Sequence, residues 1–119
     1  MDDKEIMLTD MKKYSGYKKE LYQELLDEKR DRLENIKSEN EQAYRKVCKK
    51  TVEYELIGDI YGYDTDEAVQ VVDDFERLRD CYEQRNYTEE IDALTTEIKW
   101  LEAQLKKIEF RESVNGKKN

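Results

Sequence analysis

The sequence contains no histidine and only two cysteines, which removes most of the side chains used in catalysis and metal binding. Without histidine there is no common general base, no Ser-His or Cys-His nucleophile pair and no usual mixed zinc site. Cys48 and Cys81 lack CxxC spacing and the density of a disulfide scaffold, so we expect reduced thiols. We therefore expect a protein that is not an enzyme and uses no metal or other cofactor.

Proline is absent, glycine occurs four times, and no apolar run approaches the length needed to cross a bilayer. No GxGxxG or GxxxxGK[ST] pattern is present to hold nucleotide phosphates. The first residues lack the basic and apolar regions of a signal peptide, so we expect a cytoplasmic protein without membrane contact. With 37% hydrophobic and 44% charged residues, the chain suits a thin helical assembly better than a thick globular core.

Apolar residues recur at alternating spacings of three and four, which is the period of a helix seam. Three such seams occur, at residues 22–54, 68–82 and 91–108. They predict a first helical arm over about residues 10–56 and a second over about residues 66–111. The last two seams are out of phase, which predicts a break near residues 86–88, with Asn86 or Thr88 as the new N-cap. Residues 112–119 have lost the periodicity and are expected to form a frayed tail.

Between the arms, residues 57–65 read as a turn because they hold two of the four glycines. Glycine can adopt a positive φ without a Cβ clash, so we expect Gly58 to end the first helix. Asp64 is expected to cap the second helix, with Glu67 reaching back to complete a capping box.

Two arms of nearly equal length predict an all-α fold, an antiparallel helical hairpin with coiled-coil-like packing, in a single domain of residues 1–119. The first seam passes through Asn40, and a buried asparagine there would fix the helix register. The stretch from Ser38 to Glu41 also fits a capping box, so we expect a kink or break near Ser38. Breaks in both arms would give a three- or four-helix bundle instead.

A second apolar stripe, offset from the first seam, consists of Tyr14, Tyr17, Leu21 and Leu25. Two helices alone would leave this stripe and Trp100 half exposed. Such apolar surface is normally covered by a partner, so we expect either a homodimer or a docked protein.

The net charge of −8 is concentrated in one region, because residues 52–92 hold 3 basic and 14 acidic side chains. This region should attract basic surfaces and repel bare nucleic acid or anionic membrane. A solvated acidic face without any partner is the other interpretation.

The sequence is rich in tyrosine, and the acidic region holds five of the nine tyrosines. We expect Tyr54, Tyr82 and Tyr87 to pack in the core and Tyr61 and Tyr63 to be available for contact. The candidate partner-binding residues share a position in the turn or the second helix; they are Asp59, Tyr61, Tyr63, Asp64, Asp66, Glu67, Asp73, Asp74 and Asp80. The expected function is binding of a protein with a basic surface, as an inhibitor or mimic that occludes a nucleic-acid-binding site. The alternative is a scaffold that acts by self-assembly.

A helical hairpin with an acidic tip resembles the coiled-coil finger of bacterial transcript-cleavage factors of the Gre type. The outline is carried by residues 7–10, the arm containing residues 19–25, Gly58-Asp59 and the return arm. The resemblance implies action on RNA polymerase, where tip carboxylates of such factors help hold a metal. In size, acidity and lack of catalytic groups the chain is also similar in kind to small phage-encoded inhibitors, including anti-CRISPR proteins.

Overall fold

The structure is a computed structural model that describes residues 2–7 and 15–117. Tyr14 of the second stripe and residues 118–119 of the expected tail lie outside the described residues. After a helical segment at residues 3–7 and a 3-10 turn at Ser15–Tyr17, the chain forms three α-helices. They are α1 (Lys18–Tyr61), α2 (Asp66–Arg85) and α3 (Tyr87–Lys117). The described residues include no strand, so the all-α prediction is confirmed.

Contacts gather the chain into two compact units. The turn unit consists of residues 33–92, and within it α1 and α2 form an antiparallel helical hairpin, as the sequence predicted. The terminal unit consists of residues 1–32 and 93–119. There α1 and α3 run antiparallel, since Lys19 pairs with Glu112 at 2.8 Å while Lys29 pairs with Glu97 at 3.2 Å.

Each unit is held by a narrow line of apolar side chains. Every position of the three predicted seams is buried or half-buried, so the seams are confirmed. The fully buried apolar residues are Leu26, Ile36, Val47, Ala68, Val71, Leu94, Ile98, Leu101 and Leu105. Burying one such leucine or isoleucine contributes about 1.5–3 kcal/mol, so each position carries a large share of the stability.

The first helix ends later than the sequence predicted, at Tyr61 instead of near residue 56. Gly58 remains helical, and the prediction that it ends the helix is wrong. Gly62 has that role, with φ of 102° and its N–H donating to the Gly58 carbonyl at 3.0 Å. A helical glycine costs only about 1 kcal/mol, so Gly58 alone does not stop a helix whose next turn is stabilised by other contacts.

The N-cap of α2 is Thr65, so the prediction that Asp64 caps this helix is wrong by one residue. The Thr65 hydroxyl accepts from the Ala68 N–H at 3.2 Å and donates to the Gly62 carbonyl at 3.0 Å. An ionised aspartate can only accept, whereas this hydroxyl satisfies both helix ends at once. With the cap at Thr65, Glu67 is not at the position that a capping box requires. Its negative charge still interacts favourably with the positive, N-terminal end of the helix dipole.

The break predicted near Ser38 is also wrong, because α1 is continuous there. The Ser38 hydroxyl accepts from the Gln42 side chain at 3.4 Å and caps no helix. Ile36 on one side of it is 0% exposed, and Asn40 on the other accepts from the Tyr82 hydroxyl at 2.5 Å. A capping box contributes only about 1 kcal/mol, which these tertiary contacts exceed.

The break in the second arm is confirmed and is narrower than expected, at Asn86 alone. Asn86 adopts a left-handed conformation with φ of 49°, and its N–H donates to the Glu83 carbonyl to end α2. Its side chain begins α3 by accepting from the Glu89 N–H at 3.3 Å and donating to the Glu89 carboxylate at 2.8 Å. The α3 helix then continues to Lys117, beyond the end predicted at residue 111. Glu112 lies in this extension and forms the ion pair with Lys19 of α1.

We expect Leu101→Asp to destabilise the protein far more than Lys99→Asp. Leu101 is 2% exposed in the terminal unit, so the change places an unpaired carboxylate in the apolar line, whereas Lys99 is exposed. The free energy of unfolding should fall by roughly 3 kcal/mol or more for the first and by under about 1 kcal/mol for the second. Chemical denaturation measures both, and equal midpoints would contradict the burial pattern.

The hydrogen bond from Tyr82 to Asn40 predicts a smaller loss. Tyr82→Phe leaves the half-buried Asn40 amide oxygen without its donor, which should cost about 1 kcal/mol of unfolding free energy. Tyr61→Phe is the matched control, since Tyr61 is 72% exposed, and it should change stability little. Thermal melts of the two variants compare them directly; a Tyr82→Phe melt identical to that of the control would show that the bond adds nothing.

Candidate partner-binding surface

The nine predicted site residues all belong to the turn unit, and all except Asp74 are exposed. Asp59 and Tyr61 lie at the end of α1, Tyr63 and Asp64 lie in the connection, and the remainder lie on α2. The connection between α1 and α2 is short, so these residues lie together at one end of the helical hairpin and along α2.

A line of carboxylates runs along the outer side of α2. Asp66, Asp73 and Asp80 are seven residues apart, so they lie nearly above one another at intervals of about 10 Å. This side of the helix is opposite the one that buries Ala68 and Val71. Neither Asp66 nor Asp73 forms an ion pair within the described ranges, and Arg79 approaches Asp80 at 3.6 Å. The line therefore presents largely uncompensated negative charge to solvent.

Asp74 differs from its neighbour Asp73 because it is turned about 100° around the helix, toward α1. Its carboxylate lies 3.9 Å from the Lys50 ammonium of α1, accepts from Gln70 at 3.0 Å and pairs with Arg77. Its side chain is only 23% exposed. The structure therefore uses Asp74 inside the turn unit, where it stabilises the helix pair.

Tyr63 is folded back onto the end of α1. Its ring packs on Tyr54 with centroids 5.1 Å apart, and it covers Gly58 so closely that a Cβ at position 58 would overlap the ring. Its hydroxyl donates to the Asp59 carboxylate at 2.9 Å, and this bond raises the pKa of Tyr63 above its ordinary value. Tyr61 takes part in no ring contact within the described part of the chain and is 72% exposed. Of the two predicted contact tyrosines, Tyr63 shapes the turn and Tyr61 is available at its surface.

Gly58→Ala should release the Tyr63 ring, because the added methyl group occupies the space of the ring. The raised pKa of Tyr63 depends on the bond to Asp59, which is present below the ordinary tyrosine pKa and is lost as pH rises through the raised value. An NMR pH titration of the Tyr63 ring should give a lower pKa in Gly58→Ala than in the parent protein. Gly16→Ala is the control, since nothing lies within 4 Å of its added Cβ. An unchanged titration in Gly58→Ala would contradict the packing of this turn.

A second exposed surface of the turn unit, an apolar stripe on α1, was not predicted from the sequence. Val52, Leu56 and Ile60 are spaced by four residues and are 62%, 57% and 63% exposed. Their spacing is visible in the sequence, but the seam through Lys50 and Tyr54 accounted for the helix, and these residues fell outside it. The stripe gives the turn unit an exposed apolar surface on α1, on the side of the helix turned away from Lys50 and Tyr54.

The tyrosines expected in the core are half-buried, and two of them line an open groove of about 440 Å³ in the turn unit. The ring centroids of Tyr82 and Tyr87 are 5.8 Å apart there. The Arg85 guanidinium lies over the Tyr87 ring and pairs with the Glu90 carboxylate at 2.8 Å. Cys81 lies at the same groove, and both cysteines are free thiols. Glu39, Gln42 and Lys46 of α1 line its other side, and we assign no ligand to the groove.

The described residues bring together no group of three histidine, cysteine or acidic side chains able to hold a metal ion. None of the described helices has both the length and the apolar character that a membrane crossing requires. The chain matches no protein-family model, no curated protein and no solved structure.

Proposed function

We propose that the protein binds, without catalysis, to a basic surface of another macromolecule through the outer side of α2 and the adjoining turn. The observation that supports this most is the line formed by Asp66, Asp73 and Asp80 on a helix whose opposite side is buried. Because α2 is packed on its buried side, its backbone already holds these carboxylates in a fixed row in the free protein. Binding therefore requires little further loss of backbone entropy.

The charge of the whole turn unit strengthens the proposal. Residues 33–92 hold 8 basic and 17 acidic side chains, a formal net charge of −9, whereas residues 1–32 and 93–119 together hold 14 basic and 13 acidic. Charge of one sign on one unit creates a directional field that accelerates encounter with a basic partner. Association should therefore be fast at low salt and slower when salt screens the field.

Apolar contacts would hold the partner after encounter. Tyr61 is exposed at the end of α1, close to the start of α2. Exposed tyrosine offers a large contact area at low entropic cost, and desolvated contacts of this kind chiefly lower the off-rate.

The kind of basic surface follows from the spacing of the carboxylates. Glu76 and Glu83 are exposed between and beyond the aspartates, which places roughly one carboxylate every 5 Å on the outer side of α2 from Asp73 to Glu83. Such a row can stand in for the phosphates of a nucleic-acid strand, whose charges are also closely and regularly spaced. We therefore propose that the partner is a protein that holds nucleic acid on this surface, and that binding of α2 occludes it, as an inhibitor would.

The test compares two double variants with the same change in net charge. Asp73→Lys with Asp80→Lys reverses two charges in the middle of the row, whereas Asp27→Lys with Asp31→Lys alters exposed carboxylates of the terminal unit. Each protein is immobilised and used to capture proteins from a cell lysate at about 50 mM and about 500 mM salt. We expect the parent and the terminal-unit variant to capture the same basic protein at low salt, and the α2 variant to bind it with an on-rate lower by about tenfold.

A nucleic acid added as competitor should displace the captured protein, because both would occupy one basic surface. Circular dichroism should give equal helicity for the three proteins, since neither pair of changes involves a buried residue. Equal capture by both variants would contradict the proposal that the row on α2 is the binding surface. Capture that resists the competitor would show that the partner's nucleic-acid site is not the one covered.

A further inference from the structure

The terminal unit carries an exposed stripe that its own helices do not cover. Lys18, Leu21, Leu25 and Glu28 follow one another at spacings of three, four and three in α1, so they lie on one side of the helix. Leu21 is 54% exposed and Leu25 is 42% exposed, while Leu26 beside them is buried. The stripe is therefore a second helix face, distinct from the face that packs on α3.

The stripe has a symmetric order of residues. An apolar pair lies at its centre, and a cation and an anion lie at equal distances on either side. If a second helix of the same sequence approaches antiparallel, with the two-fold axis between Leu21 and Leu25, each leucine faces the other leucine of the second copy. Lys18 of each copy then faces Glu28 of the other, giving two ion pairs.

We propose that two copies of this chain associate through this stripe, antiparallel and around that two-fold axis. Charge complementarity favours a second copy as the occupant, because an antiparallel copy places each Lys18 opposite a Glu28 and each leucine opposite a leucine. The net charge of the unit agrees: the terminal unit carries 14 basic and 13 acidic side chains, so two copies approach there with little repulsion.

The corresponding contact in the turn unit is less favourable. The stripe of Val52 and Leu56 is also flanked by Lys49 and Asp59 in the same order. However, it lies in the unit with a formal net charge of −9, so two copies meeting there would bring like charges together.

Trp100 provides a signal for the association. Its ring meets the Tyr22 ring edge-on at 5.8 Å, and the Lys18 ammonium lies 5.6 Å from the centre of the same Tyr22 ring. Trp100 is 54% exposed, and it is the single tryptophan of the chain. Because Lys18 of the stripe and Trp100 contact the same Tyr22 ring, docking of a second copy through Lys18 should change the environment of Trp100 and hence its fluorescence emission. The contact is about 15 Å long, so the dimer should dissociate on dilution.

The experiment measures the mass of the full-length protein by analytical ultracentrifugation across a dilution series, with Trp100 emission followed in parallel. Lys18→Glu places two like-charged contacts in the dimer, and so does Glu28→Lys. Each should weaken association by roughly tenfold. An equimolar mixture of the two variants should regain the parent affinity, because both cross-pairs then join opposite charges. Lys49→Glu is the control on the turn unit and should leave association unchanged.

Leu21→Ser with Leu25→Ser tests the centre of the stripe and should abolish the dimer while circular dichroism remains helical, since both side chains are exposed. A protein that is monomeric at every concentration overturns the proposal. A dimer that neither single charge change weakens also overturns it. A dimer that both changes weaken but that their mixture does not restore rules out the two-fold register. If Lys49→Glu weakens the dimer and the changes at Lys18 and Glu28 do not, the contact between copies lies on the turn unit and the proposal is wrong.

Discussion

Both units depend on the burial of one narrow line of apolar side chains. Each helix in a pair turns a single side toward its neighbour, and the fully buried residues are apolar without exception in the described part of the chain. The half-buried positions Asn40 and Tyr82 satisfy each other by a hydrogen bond. A polar group left unpaired in so thin a core would cost as much as several good contacts provide. The line therefore accepts few changes, while the rest of the surface accepts many.

This division separates stability from binding. Because the outer side of α2 contributes nothing to the apolar line, its carboxylates can form a row of one sign without weakening the core directly. Asp73 and Asp74 are adjacent in sequence and differ in this respect, since one faces solvent and the other is held by Lys50 and Arg77. The same separation applies to the terminal unit, where Leu26 supports the fold and Leu25 remains exposed. The proposed partner site and the proposed dimer contact thus use surfaces of different charge on different units.

The sequence alone determined the helices, their seams and the distribution of charge. The seams could be predicted because burial on one side of a helix imposes a period of three and four that is visible without coordinates. The break near residues 86–88 could be predicted because the seams on its two sides are out of phase and Asn86 or Thr88 can cap the next helix. The acidity of the turn unit is a count of residues, so it required no geometry, and it indicated where a basic partner would be attracted.

Only the tertiary structure decided where helices end and which side each charge faces. Gly58 and Gly62 are equivalent in the sequence, and the Tyr63 ring resting on Gly58 leaves Gly62 to adopt the positive φ. Thr65 replaces Asp64 as the cap because its hydroxyl serves both helix ends, which depends on how the connection closes. At Ser38 a local capping signal yields to the contacts of Ile36 and Asn40. Local preferences of about 1 kcal/mol are comparable with a single packing contact, so the contacts that form across the helix pair determine the outcome.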